Sequence, residues 1–230
     1  MQHIGIAACS AEGASLCYRT VISEGLKRLG DHQHPEVSMH TPALSRYMDL
    51  LEDGQEDWIA AARVVVESAV KLKAAGADFI ICPDNTIHEG VDRVLDEFPL
   101  PLIHIADVVA ETAASKGLKK LLILGTRYTA RSTYYQTALK KHTIEWVMPT
   151  TEQVAEVDRV IWEELYWGSI TPESTAYYQG VISAHKADGC DGVVLGCTEI
   201  PLMINDENSP LPVLDSTRLL AAAALDRAIS

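Results

Sequence analysis

The chain has 230 residues, of which 47% are hydrophobic and 22% charged, and its formal net charge is -13. This composition is typical of a globular protein with one large domain or two small ones. The negative charge argues against nucleic acid and anionic membranes as partners, since both need a positive surface. No apolar run approaches the roughly 20 residues of a membrane span. We also expect no secretory signal, because no cationic segment precedes a long apolar run near Met1.

The cysteines and histidines indicate the compartment and argue against a metal site. The five cysteines are an odd number and include no Cys-x-x-Cys pair, which favours a reducing cytoplasm and disfavours zinc. Three histidines, His32, His34 and His40, share one polar segment around Pro35, but their spacing matches no metal motif. We therefore expect a cytoplasmic protein without a bound metal.

The first half alternates apolar runs with helical patterns, as expected for an α/β chain. The polar segment 31–56, which contains Pro35, Pro42 and Gly54, predicts a long active-site loop around a short strand. Arg46 in this loop is a candidate carboxylate clamp or a solvated arginine. The other predicted elements, in chain order, are a strand at 4–8, a helix at 15–29, an amphipathic helix at 57–75, a strand at 79–82, a helix-like stretch to 97, a strand at 100–105 and a helix from about 107.

The second half shows similar patterns. A strand at 121–124 is followed by Thr129 as the expected cap of a helix. Thr150 and Gln153 can form a capping box, and Thr171 with Pro172 begins a helix that Gly189 ends. The remaining elements are a strand at 193–195, a strand at 211–215 and an alanine-rich final helix.

The two halves can be aligned with each other. Residues 76–86 match residues 189–199, and Leu-Pro-Leu-Ile at 100–103 matches Leu-Pro-Val-Leu at 211–214. This internal repeat predicts an α/β fold of two pseudo-symmetric domains, each a short, mainly parallel sheet flanked by helices. We place the first domain at 1–103 plus 212–230 and the second at 104–211, with the active site in the cleft between them.

The segment Gly-Val-Val-Leu-Gly-Cys-Thr-Glu, which ends at Glu199, is the main candidate site. A buried strand and the Gly196 turn place Cys197 at the carboxyl end of a parallel strand, where ligands bind. A thiol near the N–H groups of a following turn is more acidic than a free cysteine, although a buried structural cysteine is the alternative. The repeat puts Asp84 in the equivalent position. Two such groups on opposite faces of a carbon atom would permit stereochemical inversion.

These motifs resemble the aspartate/glutamate racemase superfamily over nearly the whole chain. The resemblance rests on Asp-Asn-Thr-x-His from Asp84, Gly-Cys-Thr-Glu-Ile-Pro-Leu from Gly196, Leu-Gly-Thr-Arg from Leu124 and Leu-Pro-Leu-Ile-His-Ile from Leu100. Glu199 is similar to the aspartate racemase branch, whereas glutamate racemases usually have histidine there. The resemblance implies a cofactor-independent, often homodimeric isomerase with a small carboxylate-bearing substrate.

The resemblance also implies roles for individual residues. Cys197 corresponds to the second catalytic thiol. Residues expected to bind the substrate carboxylate or line the same cleft are Ser10, Asn85, Thr86, Thr126, Thr198 and Glu199, with Arg46 as the possible clamp. Ordinary helix capping is the alternative reading for Ser10 and Thr86.

Asp84 departs from the family pattern, which has cysteine before Asn-Thr. Reference pKa values for Asp and Cys differ by about 4.6 units, or about 6 kcal/mol of basicity, so an ordinary aspartate is a poor base for a carbon acid. Its charge would also repel a dicarboxylate. Similar proteins that lack one cysteine include racemases with threonine in the first position and arylmalonate decarboxylases with a single thiol.

Three functions therefore remain open. The first is a racemase or epimerase of a small acidic amino acid, with Cys197 as one acid/base and Asp84 in the position of the other. The second is a single-cysteine decarboxylase, lyase or cis-trans isomerase of a small dicarboxylic acid. The third is a catalytically degenerate protein that only binds the ligand.

Overall fold

The computed structural model describes residues 1–52 and 54–230, so Asp53, inside the predicted loop 31–56, lies outside the described residues. The chain divides into two compact units. The first comprises Met1–Val108 and Thr217–Ser230, and the second comprises Val109–Ser216. The domain boundaries predicted from the sequence, after residues 103 and 211, lie a few residues before the boundaries of these two units.

The first unit is built around parallel strands at its centre. In chain order it contains β1 (Ile4–Ala7), α1 (Ala11–Leu29), β2 (Val37–His40), α2 (Ser45–Met48), α3 (Trp58–Ala74), β3 (Phe79–Ile81), α4 (His88–Val91), a 3-10 turn (Leu95–Glu97), β4 (Leu102–Ile103) and the start of α5 (Ile105–Ser115), and near the C-terminus most of α10 (Ser216–Ile229).

The sheet of the first unit has the strand order β2-β1-β3-β4, and each paired strand runs parallel to its neighbour. Alternate residues of β1 and β3, including Ile4 and Phe79, share a buried cluster with Val21 of α1 and Leu220 of α10. Helix α1 ends at Gly30, whose φ of 102° is readily adopted by glycine. Because all four strands are parallel, their carboxyl ends lie along one edge of the sheet.

The second unit repeats this plan. In chain order it contains the remainder of α5, then β5 (Lys120–Leu124), α6 (Arg127–Arg131), α7 (Tyr134–Lys140), β6 (Glu145–Val147), α8 (Thr151–Glu163), a 3-10 turn (Leu165–Trp167), α9 (Pro172–Ala187), β7 (Gly192–Leu195), a 3-10 turn (Ile200–Leu202) and β8 (Val213–Asp215).

The sheet of the second unit has the order β6-β5-β7-β8, again with parallel neighbours. Leu122 and Val193 pack against Ile161 of α8 and Tyr178 of α9 in its core. The predicted capping box at Thr150 is present at the start of α8. The two sheets share the same strand order, and the predicted α/β fold is confirmed.

Several local predictions were wrong. Thr126, and not Thr129, caps α6, because its side chain accepts the Thr129 N–H. The stretch to residue 97 is not one helix but α4 and a separate 3-10 turn. Helix α5 begins at Ile105 and shortens the strand before it, since His104 Nδ1 accepts the Ala106 N–H within the first helical turn. Helices α2 and α7 and strand β6 were not predicted.

None of the helices within residues 1–52 and 54–230 has the length and hydropathy needed to cross a membrane.

Candidate active site

A tight turn after β7 presents Cys197 at the carboxyl edge of the second sheet. The Gly196 N–H donates to the Leu124 carbonyl at 2.7 Å, which joins this turn to the end of β5. A Cβ atom at residue 196 would lie 2.8 Å from that same carbonyl oxygen. Glycine is therefore required here for the close approach of the two backbones.

Cys197 and Glu199 form a hydrogen-bonded pair. Cys197 Sγ donates to Glu199 Oε2 at 2.9 Å, and Thr198 Oγ1 donates to the same oxygen at 2.8 Å. Glu199 is only 5% exposed, whereas Cys197 is partly accessible. The Thr198 hydroxyl and the Cys197 thiol thus both donate to the Glu199 carboxylate, which lies in a position to take the thiol proton.

Two tyrosines near Cys197 are neutral. Burial raises the pKa of Tyr135 and of Tyr178 above the usual tyrosine value. The Tyr178 hydroxyl donates to the Val157 carbonyl at 2.9 Å. The surroundings of Cys197 therefore include protonated phenols and an apolar core, with which Cys197 is in contact.

Thr126 lies where β5 ends, on the strand next to β7. It is 3% exposed, and its Oγ1 accepts the Thr129 N–H at 3.4 Å. The next residue, Arg127, is fixed by Asp158, whose two carboxylate oxygens accept from the Arg127 backbone N and from Nη1, each at 2.9 Å. Thr126 thus serves as a helix cap on the carboxyl edge of the second sheet.

Asp84 occupies the turn after β3 in the first unit. Its Oδ1 accepts the Ile87 N–H at 3.0 Å, so the carboxylate closes its own turn. Asn85 and Thr86 follow and are 3% and 8% exposed, whereas Asp84 is partly accessible. This segment combines a carboxylate with amide and hydroxyl groups at the carboxyl edge of the first sheet.

Two histidines support the Asp84 segment, and the sequence analysis gave them no role. His88 Nε2 lies 3.2 Å from the Cys82 carbonyl oxygen, and it must donate because that oxygen only accepts. The ring of His104 packs edge-on against His88, with centroids 4.2 Å apart. Burial, together with His104, holds the pKa of His88 well below its usual value. His88 is therefore a neutral donor that connects the start of α4 to Cys82, which lies between β3 and Asp84.

A thiol pair lies beside the same segment. The Sγ atoms of Cys9 and Cys82 are 3.9 Å apart, and both side chains are buried. The hydrogen bond with Cys82 raises the pKa of Cys9 well above its usual value, and burial and the charge of Asp84 add to the shift. This contact joins the residues after β1 and β3, but two cysteines that are 73 positions apart gave no sequence signal for it.

Ser10 and Arg46 are engaged in ordinary structural contacts. Ser10 caps α1, since its Oγ accepts the Gly13 N–H at 3.2 Å. Arg46 of α2 pairs with Glu67 at 2.9 Å, and both side chains are about half exposed. An exposed pair of this kind contributes little to stability, about 0–1 kcal/mol.

The strand registers place Asp84 and Cys197 at matching positions of the two sheets. Ile81 pairs with Ile103, and Val194 pairs with Leu214, in the segments that the sequence repeat aligns. Asp84 follows Ile81 by three residues, and Cys197 follows Val194 by three residues. The strand registers therefore align Asp84 with Cys197, as the internal sequence repeat does.

In the described parts of the chain, no group of three or more His, Cys, Asp or Glu side chains is arranged to hold a metal ion.

Comparison with known proteins identifies the family. The profile of the Asp/Glu/hydantoin racemase family matches residues 10–224. The chain belongs to this racemase family. Its members are isomerases, and the resemblance noted in the sequence is therefore confirmed.

Several members of the family are similar in sequence or structure. A candidate Asp/Glu racemase from Yersinia pestis is 34% identical, with a TM-score of 0.90 and complete coverage of both chains. An aspartate racemase homologue from Pyrococcus horikoshii OT3 is 27% identical, also with complete coverage, and has a TM-score of 0.86. The broad-specificity amino-acid racemase RacX of Bacillus subtilis is 24% identical over 209 residues, which are 85% of this chain and 82% of RacX.

Proposed function

We propose that this racemase-family protein inverts a small amino acid at Cα without a cofactor. Cys197 acts as one acid/base, and Asp84 has the position of the other. The contact that supports this most directly is the 2.9 Å hydrogen bond from Cys197 Sγ to the buried Glu199, because a thiol needs a proton acceptor before its sulfur can act as a base.

The proposed reaction moves two protons. Cys197 gives its proton to Glu199, and the thiolate then removes the Cα proton from one face of the substrate. The electron pair of the broken C–H bond becomes part of an enolate. Asp84, which carries a proton when this enantiomer binds, delivers that proton to the opposite face, which re-forms the C–H bond with inverted configuration. Glu199 then releases its proton to water and Asp84 takes one up, which restores the starting protonation states. The reverse direction exchanges the two roles.

Short polar side chains are proposed to bind the substrate carboxylate and stabilise the enolate. Asn85 and Thr86 come from the first unit, and Thr198 comes from the second. All three are 8% exposed or less, which favours strong hydrogen bonds to a bound anion. Ser10 and Thr126 are proposed to line the same site through the ends of α1 and α6, and Arg46 is proposed to clamp the carboxylate once it releases Glu67.

Deuterium exchange at Cα tests this proposal. The purified protein is incubated in heavy water with each enantiomer of a panel of amino acids, and loss of the Cα proton is followed by NMR. We expect exchange with the native protein and loss of about 10²-fold or more in Cys197→Ala. Asp84→Asn should slow racemisation strongly, because inversion needs both acid/base groups. It should slow exchange less for the enantiomer whose Cα proton Cys197 removes. Absence of exchange with every amino acid would refute the proposal.

A second candidate function follows from the geometry of Asp84. Its Oδ1 already accepts the Ile87 N–H. This hydrogen bond stabilises the charged form of Asp84, which suits a residue that shapes the site and transfers no proton. Cys197 would then act as the only acid/base, in a decarboxylase, lyase or cis-trans isomerase of a small dicarboxylic acid. Consumption of a malonate or maleate analogue without amino-acid exchange would favour this function. A protein that only binds the ligand would show neither reaction, and Asp84→Cys would then gain racemisation.

We also propose that the protein works in the cytoplasm as a homodimer. The reducing environment suits the reactive Cys197 thiol and the Cys9–Cys82 thiol pair. Light scattering on the purified protein tests the oligomeric state, and a mass that corresponds to one chain would contradict it.

A further inference from the structure

One peptide group, the amide between Leu195 and Gly196, is held from both sides. Its carbonyl oxygen accepts a hydrogen bond from Ser216 Oγ at 2.8 Å, and its N–H donates to the Leu124 carbonyl at 2.7 Å. Only Gly196 separates this peptide group from Cys197. Because glycine has wide conformational freedom, the direction in which the turn presents Cys197 depends on bonds made from outside the turn.

The Ser216 hydroxyl is itself held by a second side chain. Ser216 and Tyr135 are 0% and 1% exposed, and their hydroxyl groups are hydrogen-bonded to each other. A serine hydroxyl has one hydrogen. Since that hydrogen is directed at the Leu195 carbonyl, Tyr135 is the donor to Ser216. Burial raises the pKa of Tyr135, which keeps the phenol protonated for this role. A buried chain of donors therefore runs from the phenol to the turn before Cys197.

The first unit holds the equivalent peptide group by different means. The internal repeat aligns the Cys82–Pro83 peptide with the Leu195–Gly196 peptide. The Cys82 carbonyl accepts from His88 Nε2 at 3.2 Å, and His88 is 0% exposed. Proline has no N–H to donate, but its ring fixes φ. Each unit therefore holds the peptide group that lies one residue before its candidate acid/base.

The two side chains that hold these carbonyls are not copies of each other. Extension of the match between 100–103 and 211–214 by two residues places Ile105 opposite Ser216, and an isoleucine side chain has no hydrogen-bond donor. His88 belongs to α4, whereas Ser216 begins α10. Two unrelated side chains thus hold the same carbonyl position, which indicates that this position has to be held for the residue that follows it.

We propose that Ser216 is a positioning residue for Cys197. The proposal rests on the racemase function proposed above, in which Cys197 removes the Cα proton of one enantiomer. Without the Ser216 hydroxyl, the Leu195–Gly196 peptide keeps its N–H bond to Leu124 but loses the bond at its carbonyl. Displacement of a catalytic group by about 1 Å can cost about 10²-fold in rate. We therefore expect the loss of this one bond to cost about tenfold in the steps that Cys197 performs.

Cα exchange of the two enantiomers separates positioning from stability. The native protein, Ser216→Ala and the matched control Ser132→Ala are incubated in heavy water with each enantiomer of the amino acid that the native protein exchanges fastest. Ser132 is 3% exposed, and its Oγ donates to the Tyr128 carbonyl at 2.7 Å in the same unit. Both substitutions therefore remove a buried hydroxyl from a backbone carbonyl, but the Ser132 bond lies at the end of α6 and not at the turn before Cys197.

Ser216→Ala should slow exchange about tenfold for the enantiomer whose Cα proton Cys197 removes, which is the one that Asp84→Asn slows less. Exchange of the other enantiomer should stay within about threefold of native, because Asp84 both removes and returns that proton. Racemisation should fall about tenfold from either enantiomer, since inversion needs both groups. Ser132→Ala should leave all these rates within about threefold of native, although both alanine variants should lower Tm by about 2–4 °C.

Ser216→Cys provides a second variant. Its thiol has nearly the size of the hydroxyl but is a weaker donor, so the same preference for one enantiomer should appear with a smaller loss. This variant decides the question if Ser216→Ala does not fold.

Two outcomes would overturn the inference, and they can be told apart. If the Ser216 variants slow both enantiomers equally, or exchange as fast as Ser132→Ala, then Ser216 does not position Cys197, while the racemase function stands. If the native protein exchanges none of the amino acids, the proposed function fails and the inference fails with it.

Discussion

Replacement of Glu199 by glutamine should slow Cα exchange strongly and leave the fold intact. Glu199 Oε2 accepts from both Cys197 Sγ and Thr198 Oγ1, and the glutamine carbonyl oxygen can accept both bonds. What the variant loses is the negative charge that takes the thiol proton. Loss of a general base typically costs about 10²–10⁴-fold in rate, which is about 3–5 kcal/mol in the activation free energy.

The assay is Cα exchange in heavy water with whichever amino acid the native protein exchanges fastest, together with thermal unfolding. We expect Glu199→Gln to lose about 1 kcal/mol of unfolding free energy, since the buried amide adds a donor that needs a partner. Glu164→Gln is the matched control, because Glu164 also accepts from Ser174 and Thr171 in the same unit. It should keep exchange within about threefold of native. Near-native exchange in Glu199→Gln would refute the role of the carboxylate.

Three further predictions concern stability. In Gly90→Ala the new Cβ would lie 2.0 Å from the Trp58 carbonyl oxygen, so chemical denaturation should show a loss of about 3 kcal/mol or more; Gly180→Ala, in open space on α9, should instead gain about 0.5–1 kcal/mol. Burial lowers the pKa of His88. Below a pH of about 6.5 the unfolded chain therefore binds a proton at His88 while the native chain does not. The free energy of unfolding consequently decreases as the pH falls from about 6.5 towards the lowered pKa. Urea titrations should therefore show a decline of up to about 1.4 kcal/mol per pH unit that His88→Asn removes, and an unchanged slope would contradict this. Thr150→Ala breaks the capping box of α8 and should cost about 1 kcal/mol, measured as a lower Tm.

The central strands were predictable because their sequences are continuous apolar runs. Both faces of β3 and β7 are covered, and each strand is buried along its length, which is the pattern expected for parallel sheets. Strand β6 was missed because it has only three residues, begins at the exposed Glu145 and has no continuous apolar run. Edge strands of this kind leave a weak signal in a single sequence.

The position of the site could be predicted, but its contacts could not. The Gly196 turn and the end of β7 indicated where Cys197 lies. The sequence did not reveal that Glu199 turns back to the Cys197 sulfur, because that contact depends on side-chain rotamers. The wrong cap at Thr129 has a similar cause: Thr126 and Thr129 are both suitable capping residues, and only the backbone geometry selects Thr126. The Cys9–Cys82 contact depends on the pairing of β1 with β3.

The difference in accessibility among the five cysteines has a practical consequence. Cys197 is partly accessible, whereas Cys9, Cys17, Cys82 and Cys190 are buried. A thiol-specific reagent should therefore label the folded protein once per chain, at Cys197. A count of one label per chain would indicate folded protein, because unfolded chains would expose all five thiols. A fluorinated label would provide a spectroscopic reporter of ligand binding at that position without any engineered cysteine.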